Sequence, residues 1–283
     1  MKFGCCMGLE TFVMPSPKVS SFVKNLTFKE KLEKISFIMS IIEENGFDYV
    51  EAEVTMLSPE EKPDYFKTFV KKMQAFSIKP EVFSAFIPPW LKVAGPKVNM
   101  LRLKNYLEKS IYRVSEAGGK VIIWGSGTSR SYPENYPTEY ANKQINDFLY
   151  MAADYALKYD ISLAIEPMNK EESNTINSLK EAINIEESIN KKEVKTMVDF
   201  YHFTLEREDF SSIKIAGDKV IHVHISDSER RYPGIGNFQF TPFIKSLKSI
   251  NYNKRISLEC NFSNFEKESK KGLKFIKKAW EQA

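Results

Sequence analysis

The chain reads as an α/β protein, a (β/α)8 barrel, and two observations carry that reading. Short apolar, β-branched runs alternate with longer amphipathic segments along the chain, eight of each. No Gly-rich phosphate loop follows the first apolar run, so the rival fold, a doubly wound open sheet, lacks its usual signature. A length of 283 residues suits one such barrel, and no linker, repeat or low-complexity segment interrupts it. Residues 1–283 are therefore expected to form a single domain.

The elements follow in order. Residues 2–6 form a short apolar strand. A helix over 27–45 opens on Thr27 with Glu30 three residues later, a capping box. Its apolar positions Leu32, Ile35, Ile38, Met39 and Ile42 keep helical spacing, and Gly46 stops it. A strand over 47–54 precedes a helix that opens at Ser58-Pro59 and runs to 76, with proline in its first turn. A third strand over 80–87 is followed by a helix over 96–117, which ends at Gly118-Gly119 before a fourth strand, 120–124. The second half repeats the rhythm with helix 138–158, strand 161–167, helix 178–189, strand 194–200 and helix 204–215. The histidine-bearing strand from Val220 comes next, then a helix from Thr241-Pro242, strand 254–260 and helix 264–279.

Composition narrows the function. Hydrophobic residues make up 42% and charged residues 28%, as in a soluble globular protein. The net charge of +4 is slight, and the 41 Lys and Arg are interleaved with 37 Asp and Glu, so nothing marks a nucleic-acid surface. Three cysteines, two of them adjacent (Cys5, Cys6), cannot build a disulfide framework or a Cys-rich zinc site. With no signal-peptide core and no long apolar run, a reduced, cytoplasmic protein without a membrane partner is expected.

The chemistry gathers in the second half. In VIHVHISDSERRYPGIG, His222 and His224 alternate with Val and Ile and so share one face of a strand, which then breaks into the charged loop of Asp227, Arg230 and Arg231. A single strand histidine is more often a core residue satisfied by a carbonyl. Here, however, the three neighbouring strands also end in metal-type residues: Glu166 in AIEP, Asp199 in MVDF and Glu259 in SLEC. A barrel aims such strand ends at one point. Three carboxylates and an imidazole would repel there unless a cation lay among them. One nitrogen in an oxygen-rich set suits Mn²⁺ or Mg²⁺, with Co²⁺ tolerated, better than structural zinc.

On these residues the chain resembles the xylose-isomerase-like TIM-barrel superfamily of sugar isomerases and epimerases. IEPMNKEE and HVHISDSERRYPGIG are similar to the strand-five and strand-seven signatures of ketose 3-epimerases, the tagatose and psicose epimerases. The likeness covers the second half; the first half supports it only by its alternation of elements. The resemblance implies one divalent metal ion, Mn²⁺ first and Mg²⁺ or Co²⁺ as alternatives, held by Glu166, Asp199, His224 and Glu259. It also implies substrate contacts from Glu172, His202 and Arg230, and a double role for Glu166 and Glu259 as ligands and acid/base pair. His222, one layer lower, is left as structural.

The implied reaction is proton transfer at the carbon beside a sugar carbonyl. A divalent ion stabilises the enediolate, and two carboxylates on opposite faces exchange the proton and invert the centre. Transfer between carbons on one face would instead interconvert aldose and ketose. The strand-four loop, WGSGTSRSYPENYP, departs from the 3-epimerases and is similar to other members of the superfamily, including inosose dehydratase relatives. There Arg130 or the backbone of 125–127 is a candidate grip on a substrate hydroxyl, carboxylate or phosphate, against the plainer reading of a solvated turn-rich loop. An inosose dehydratase-like lyase and a hydroxypyruvate isomerase-like enzyme therefore stay open, as do a homodimer or homotetramer. An endonuclease IV-like enzyme needs three zincs and many histidines, and this chain has His202, His222 and His224 only. A sugar-binding barrel without catalysis would have lost a ligand or proton carrier, and none is missing.

Overall fold

The structure, a computed structural model, describes residues 1–8, 27–57, 59–60 and 63–283. Eight strands close into a barrel in sequence order. They are β1 (Lys2–Met7), β2 (Tyr49–Glu53), β3 (Pro80–Ser84), β4 (Val121–Trp124), β5 (Ser162–Ile165), β6 (Val194–Asp199), β7 (Val220–Ile225) and β8 (Arg255–Leu258). Every neighbouring pair is parallel, and β8 returns to β1 with Cys5 opposite Leu258.

Among the described residues the outer layer holds α1 (Phe28–Glu44), α2 (Pro63–Gln74), α3 (Met100–Glu116) and α5 (Thr138–Lys158), with the short α4 (Gly127–Arg130) between the last two. The second half adds α6 (Leu179–Ile189), α7 (Phe200–Leu205), α8 (Ser211–Ala216), α9 (Phe240–Ser249) and α10 (Phe265–Gln282). The capping box of α1 forms as its sequence dictates: Thr27 accepts from Glu30 N–H, and the Glu30 carboxylate accepts from Thr27 N–H. Its stripe of Ile35, Ile38, Met39 and Ile42 is buried against the sheet.

The pleat sorts side chains into two cores. In β4, Val121 and Ile123 face the barrel interior and meet Tyr49, Val82, Ala164 and Met197. Ile122 and Trp124 face outward and join the larger core beneath the helices. The same alternation turns Glu51, Asp199 and His224 inward, one or two residues above this apolar plug.

Several element ends differ from the sequence expectation. Apart from β1, which runs one residue beyond its expected end to Met7, most strands are shorter than the apolar runs, because pairing stops where the chain peels away to form the mouth. Residues 54–57 form a 3-10 turn rather than the end of β2. The expected helix start at Ser58 lies outside the described residues; Pro59 and Glu60 sit in a turn and α2 begins at Pro63. Helix α3 starts at Met100 rather than 96, because Asn99 accepts from Arg102 N–H as its N-cap. The helix expected over 204–215 is two helices, α7 and α8, interrupted where Arg207 takes a left-handed φ of 54°. Helix α7 already begins at Phe200 because the Asp199 side chain caps it.

Candidate metal centre and substrate cavity

The capping of α7 sets the geometry of the site. Asp199 Oδ1 accepts from Tyr201 N–H at 2.7 Å and from His202 N–H at 3.3 Å. That turns Oδ2 towards the barrel axis, where this buried atom has no hydrogen-bond partner among the described residues. In register, Asp199 lies opposite His224 on β7. His224 Nδ1 is 3.0 Å from Glu166 Oε1, 3.6 Å from Glu259 Oε2 and 4.0 Å from Asp199 Oδ2. One ligand atom from each of Glu166, Asp199, His224 and Glu259 falls within 4.8 Å of the others. The structure thus brings together all four residues expected at strand ends five to eight.

The electrostatics of this cluster would suit a cation. Like charges at such separations repel by on the order of 3–4 kcal/mol per pair at an effective dielectric near 20. Burial raises the Asp199 carboxyl above its ordinary value against the pull of His202, and Glu259 and Glu166 raise it further. Burial likewise pushes Glu259 up, but His224 and Arg230 outweigh it and hold the group at about 2. Burial alone would discharge His224, yet Glu51 and Glu259 raise its pKa well above the histidine range. In place of that ring proton, a divalent cation would meet three carboxylates, among them the unpartnered Oδ2 of Asp199. The donor set, three oxygens and one imidazole nitrogen, fits a divalent ion of the Mn²⁺ or Mg²⁺ type.

Above the cluster opens a cavity of about 600 Å³, lined among others by Glu53, Ser126, Glu166, Glu172, His202, Arg230 and Glu259. Arg230 is its organising cation. Nη1 donates to Glu259 Oε2 at 2.8 Å, Nη2 donates to Glu172 Oε1 at 3.1 Å, and Nη2 lies 2.9 Å from His202 Nε2. His202 Nδ1 accepts from Asn169 N–H at 3.1 Å, so a neutral ring carries its proton on Nε2. Arg230 Nη2 and His202 Nε2 therefore converge on one point of the cavity wall. The loop that carries Arg230 is tied down by Asp227, whose carboxylate accepts from the N–H groups of Ser228, Gly234, Gly236 and Phe238 at 2.8–3.1 Å. Glu229 and Arg230 themselves take left-handed φ values of 59° and 52°, strain that this anchoring maintains.

Two sequence expectations need correction or completion. Arg130 does not face the cavity. It is fully buried and donates to the carbonyl oxygens of Trp124 (3.1 Å) and Glu166 (2.8 Å), with its plane over the Trp124 ring. A guanidinium satisfies several converging carbonyls at once, so this arginine fastens the β4 and β5 ends rather than a ligand. Gly125 is equally structural: a Cβ there would lie 1.9 Å from Glu166 Oε2, so only glycine lets that carboxylate pass. Gly127 does line the cavity, beside Ser126. The residue missed in the sequence is Glu51 of β2, fully buried and bonded to both His222 and His224. An acid alternating with Tyr49 and Glu53 between Val50 and Ala52 was its only signal. His222 is buried and structural, as expected.

A closed parallel barrel with an acid-and-imidazole cluster at the carboxyl ends of its strands defines a TIM barrel whose site sits at the mouth. The family model for xylose isomerase-like TIM barrels matches residues 39–279, and the chain belongs to that family. Among curated relatives, 3-dehydro-D-guloside 4-epimerase of Escherichia coli (strain K12) is 29% identical over 153 residues, 52% of this chain and 58% of that protein. L-ribulose 3-epimerase of Methylomonas sp. (strain DH-1) is 34% identical over 108 residues, 38% of each chain. The matches thus span roughly two fifths to three fifths of these relatives. The probable ketose 3-epimerase of Synechocystis sp. (strain ATCC 27184 / PCC 6803 / Kazusa) is 21% identical over 90% of this chain and 88% of its own. Solved structures share the fold: an L-ribulose 3-epimerase superposes with a TM-score of 0.80 at 18% identity, covering 99% of this chain and 95% of that one. The apo 3-keto-D-glucoside 4-epimerase of E. coli gives 0.76 at 19% identity, covering 98% and 99%. Among the described residues no helix is long and apolar enough to cross a membrane.

Proposed function

We propose that this protein is a divalent-metal-dependent sugar epimerase that inverts a carbon next to a carbonyl, with Glu166 and Glu259 as its proton carriers. The observation that carries this reading is the gathering of Glu166, Asp199, His224 and Glu259 within 4.8 Å on the floor of the cavity. When bound there, a divalent ion, Mn²⁺ before Mg²⁺ or Co²⁺, would supply Lewis acidity to the substrate carbonyl.

The remaining chemistry belongs to the side chains. Arg230 keeps Glu259 ionised and therefore able to accept a proton. A substrate oxygen seated between Arg230 and His202 draws the guanidinium off that carboxylate and raises its basicity when the adjacent C–H must be broken. Glu166, at the end of β5 and three strands round the barrel from Glu259, returns a proton to the planar intermediate from the other side. Glu172 holds Arg230 in line and stands ready to accept from a hydroxyl. Among the described residues the lining also carries Glu53 and Glu171, with Arg230 its one arginine, so a dianionic phosphate would meet net negative charge from them. A neutral, unphosphorylated ketose fits this lining.

The relatives' names support the same chemistry, since a 3-epimerase of a ketose and a 4-epimerase of a 3-dehydro sugar both act beside the carbonyl. The test is a screen of free and phosphorylated ketoses, 3-keto-glycosides, inososes and hydroxypyruvate on metal-stripped protein with and without Mn²⁺. Mn²⁺-dependent epimerisation of a free ketose or keto-glycoside is expected. Turnover confined to phosphorylated sugars, or loss of water from an inosose, would overturn the reading.

A further inference from the structure

Behind the proposed cation site, one carboxylate is shared by two histidines. Glu51 Oε1 lies 2.7 Å from His224 Nε2, and Glu51 Oε2 lies 2.9 Å from His222 Nε2. All three side chains are fully buried. An ionised carboxylate only accepts, so each ring must offer Glu51 an N–H. His222 Nδ1 then has no hydrogen-bond partner among the described residues, as an aromatic nitrogen without a proton can be left.

We infer that Glu51 is a positioning residue: it fixes His224 as the Nε2–H tautomer, so that the bare Nδ1 faces Glu166, Asp199 and Glu259. The inference rests on reading those four residues as a cation site. A ligating histidine needs its other nitrogen held by an acceptor, which sets both the tautomer and the ring plane. Glu51 supplies this from the opposite side of the barrel, on β2, a strand that contributes none of the four ligands. His222 completes the device by engaging the second oxygen, so that the carboxylate cannot swing away.

The consequence is specific. In Glu51→Gln, one arm becomes an N–H donor of unchanged shape. If that arm faces His224, the ring must accept at Nε2 and carry its proton on Nδ1, pointed at the carboxylates, where it excludes a cation. If it faces His222, that ring must carry a buried Nδ1–H with no acceptor. Without metal the first arrangement prevails, because Glu166 Oε1 is 3.0 Å away to accept the Nδ1 proton. Binding a cation then requires the second.

The experiment measures Mn²⁺ binding directly, by calorimetry and by loss of the free-ion electron paramagnetic resonance signal, on wild type, Glu51→Gln and the double variant Glu51→Gln/His222→Gln. Wild type should bind one ion per chain, and Glu51→Gln should bind about 10–100-fold more weakly. The double variant should recover part of that loss, since the second glutamine carbonyl can take the new amide N–H and free Glu51→Gln to accept from His224. A residue of merely structural importance would not be rescued this way. In case a variant fails to fold, ¹⁵N-histidine spectra of the Mg²⁺-loaded wild type should show the ring proton of His222 on Nε2. Unchanged Mn²⁺ affinity in a folded Glu51→Gln, a proton on Nδ1 of His222, or a second ion bound per chain would each overturn the inference. Absence of any Mn²⁺ binding by wild type would instead sink the proposed cation site itself.

Discussion

Arg230 and Glu259 are joined at 2.8 Å across the cavity, one from the loop after β7 and the other from the end of β8. The pair ties the group proposed to bind substrate to the group proposed to move its proton. Replacing Arg230 by Ala should leave Mn²⁺ binding intact while kcat/KM falls by about 10²–10³-fold, since both a contact and the tuning of Glu259 are lost. Steady-state kinetics beside metal analysis checks this. Loss of metal with the arginine would move Arg230 out of the substrate role.

Glu259→Gln keeps an oxygen for a metal but removes the proton carrier. A rate loss of about two to four orders of magnitude at full metal occupancy is expected. Wild type turning over in D₂O should place solvent deuterium at one carbon of the product. Product free of deuterium would point to internal hydride transfer, and near-normal turnover of the variant would falsify the acid/base assignment.

Metal should also be visible in stability. At a free concentration a hundred times its Kd, a ligand of the native state adds about 2.7 kcal/mol, or roughly 5–10 °C in Tm for a chain of this size. Adding Mn²⁺ to metal-stripped protein should produce that shift. Asp199→Asn retains the Oδ1 cap on α7 but loses the charge of the orphaned oxygen. Its Tm should no longer respond to Mn²⁺, although its metal-free Tm stays near that of wild type.

Arg130 supplies a contrasting case. Arg130→Met should strand the Trp124 and Glu166 carbonyls, at about 1–3 kcal/mol each. A Tm drop of about 5–15 °C follows. A substrate-binding arginine would behave in the opposite sense, with KM raised and Tm unchanged.

Glu208 gives the chain a pH-dependent weakness remote from the cavity floor. Burial raises its carboxyl to about 7 even though it accepts from Leu179 N–H at 2.9 Å, and Glu181 and Glu206 push the same way. The folded state therefore holds this proton more tightly than the unfolded chain does. Stability is full below the unfolded value of 4.5 and is lost as pH climbs through about 7. Allowing for partial exposure to solvent, the loss is about 1–2 kcal/mol. Glu208→Gln should match wild type at pH 4.5 and exceed it by about 2–6 °C in Tm at pH 8.

Local chemistry made the barrel legible in the sequence. Hydrophobic periodicity and turn residues depend on near neighbours, so the eight strands, the capping box at Thr27 and the strand-end positions of Glu166, Asp199, His224 and Glu259 could all be read directly. Their convergence followed because a closed parallel barrel brings its strand ends to one mouth. What required the folded molecule were contacts whose partners are far apart in the chain. Glu51 meets His224 across 173 positions, and no pattern in β2 names that partner. Arg130 looked like a ligand grip because a loop arginine beside glycines resembles one. Only the packing of the β4 and β5 ends shows that its donors are consumed by the Trp124 and Glu166 carbonyls. Sequence period decides which face a side chain takes; which distant group waits on that face is decided by closure of the barrel.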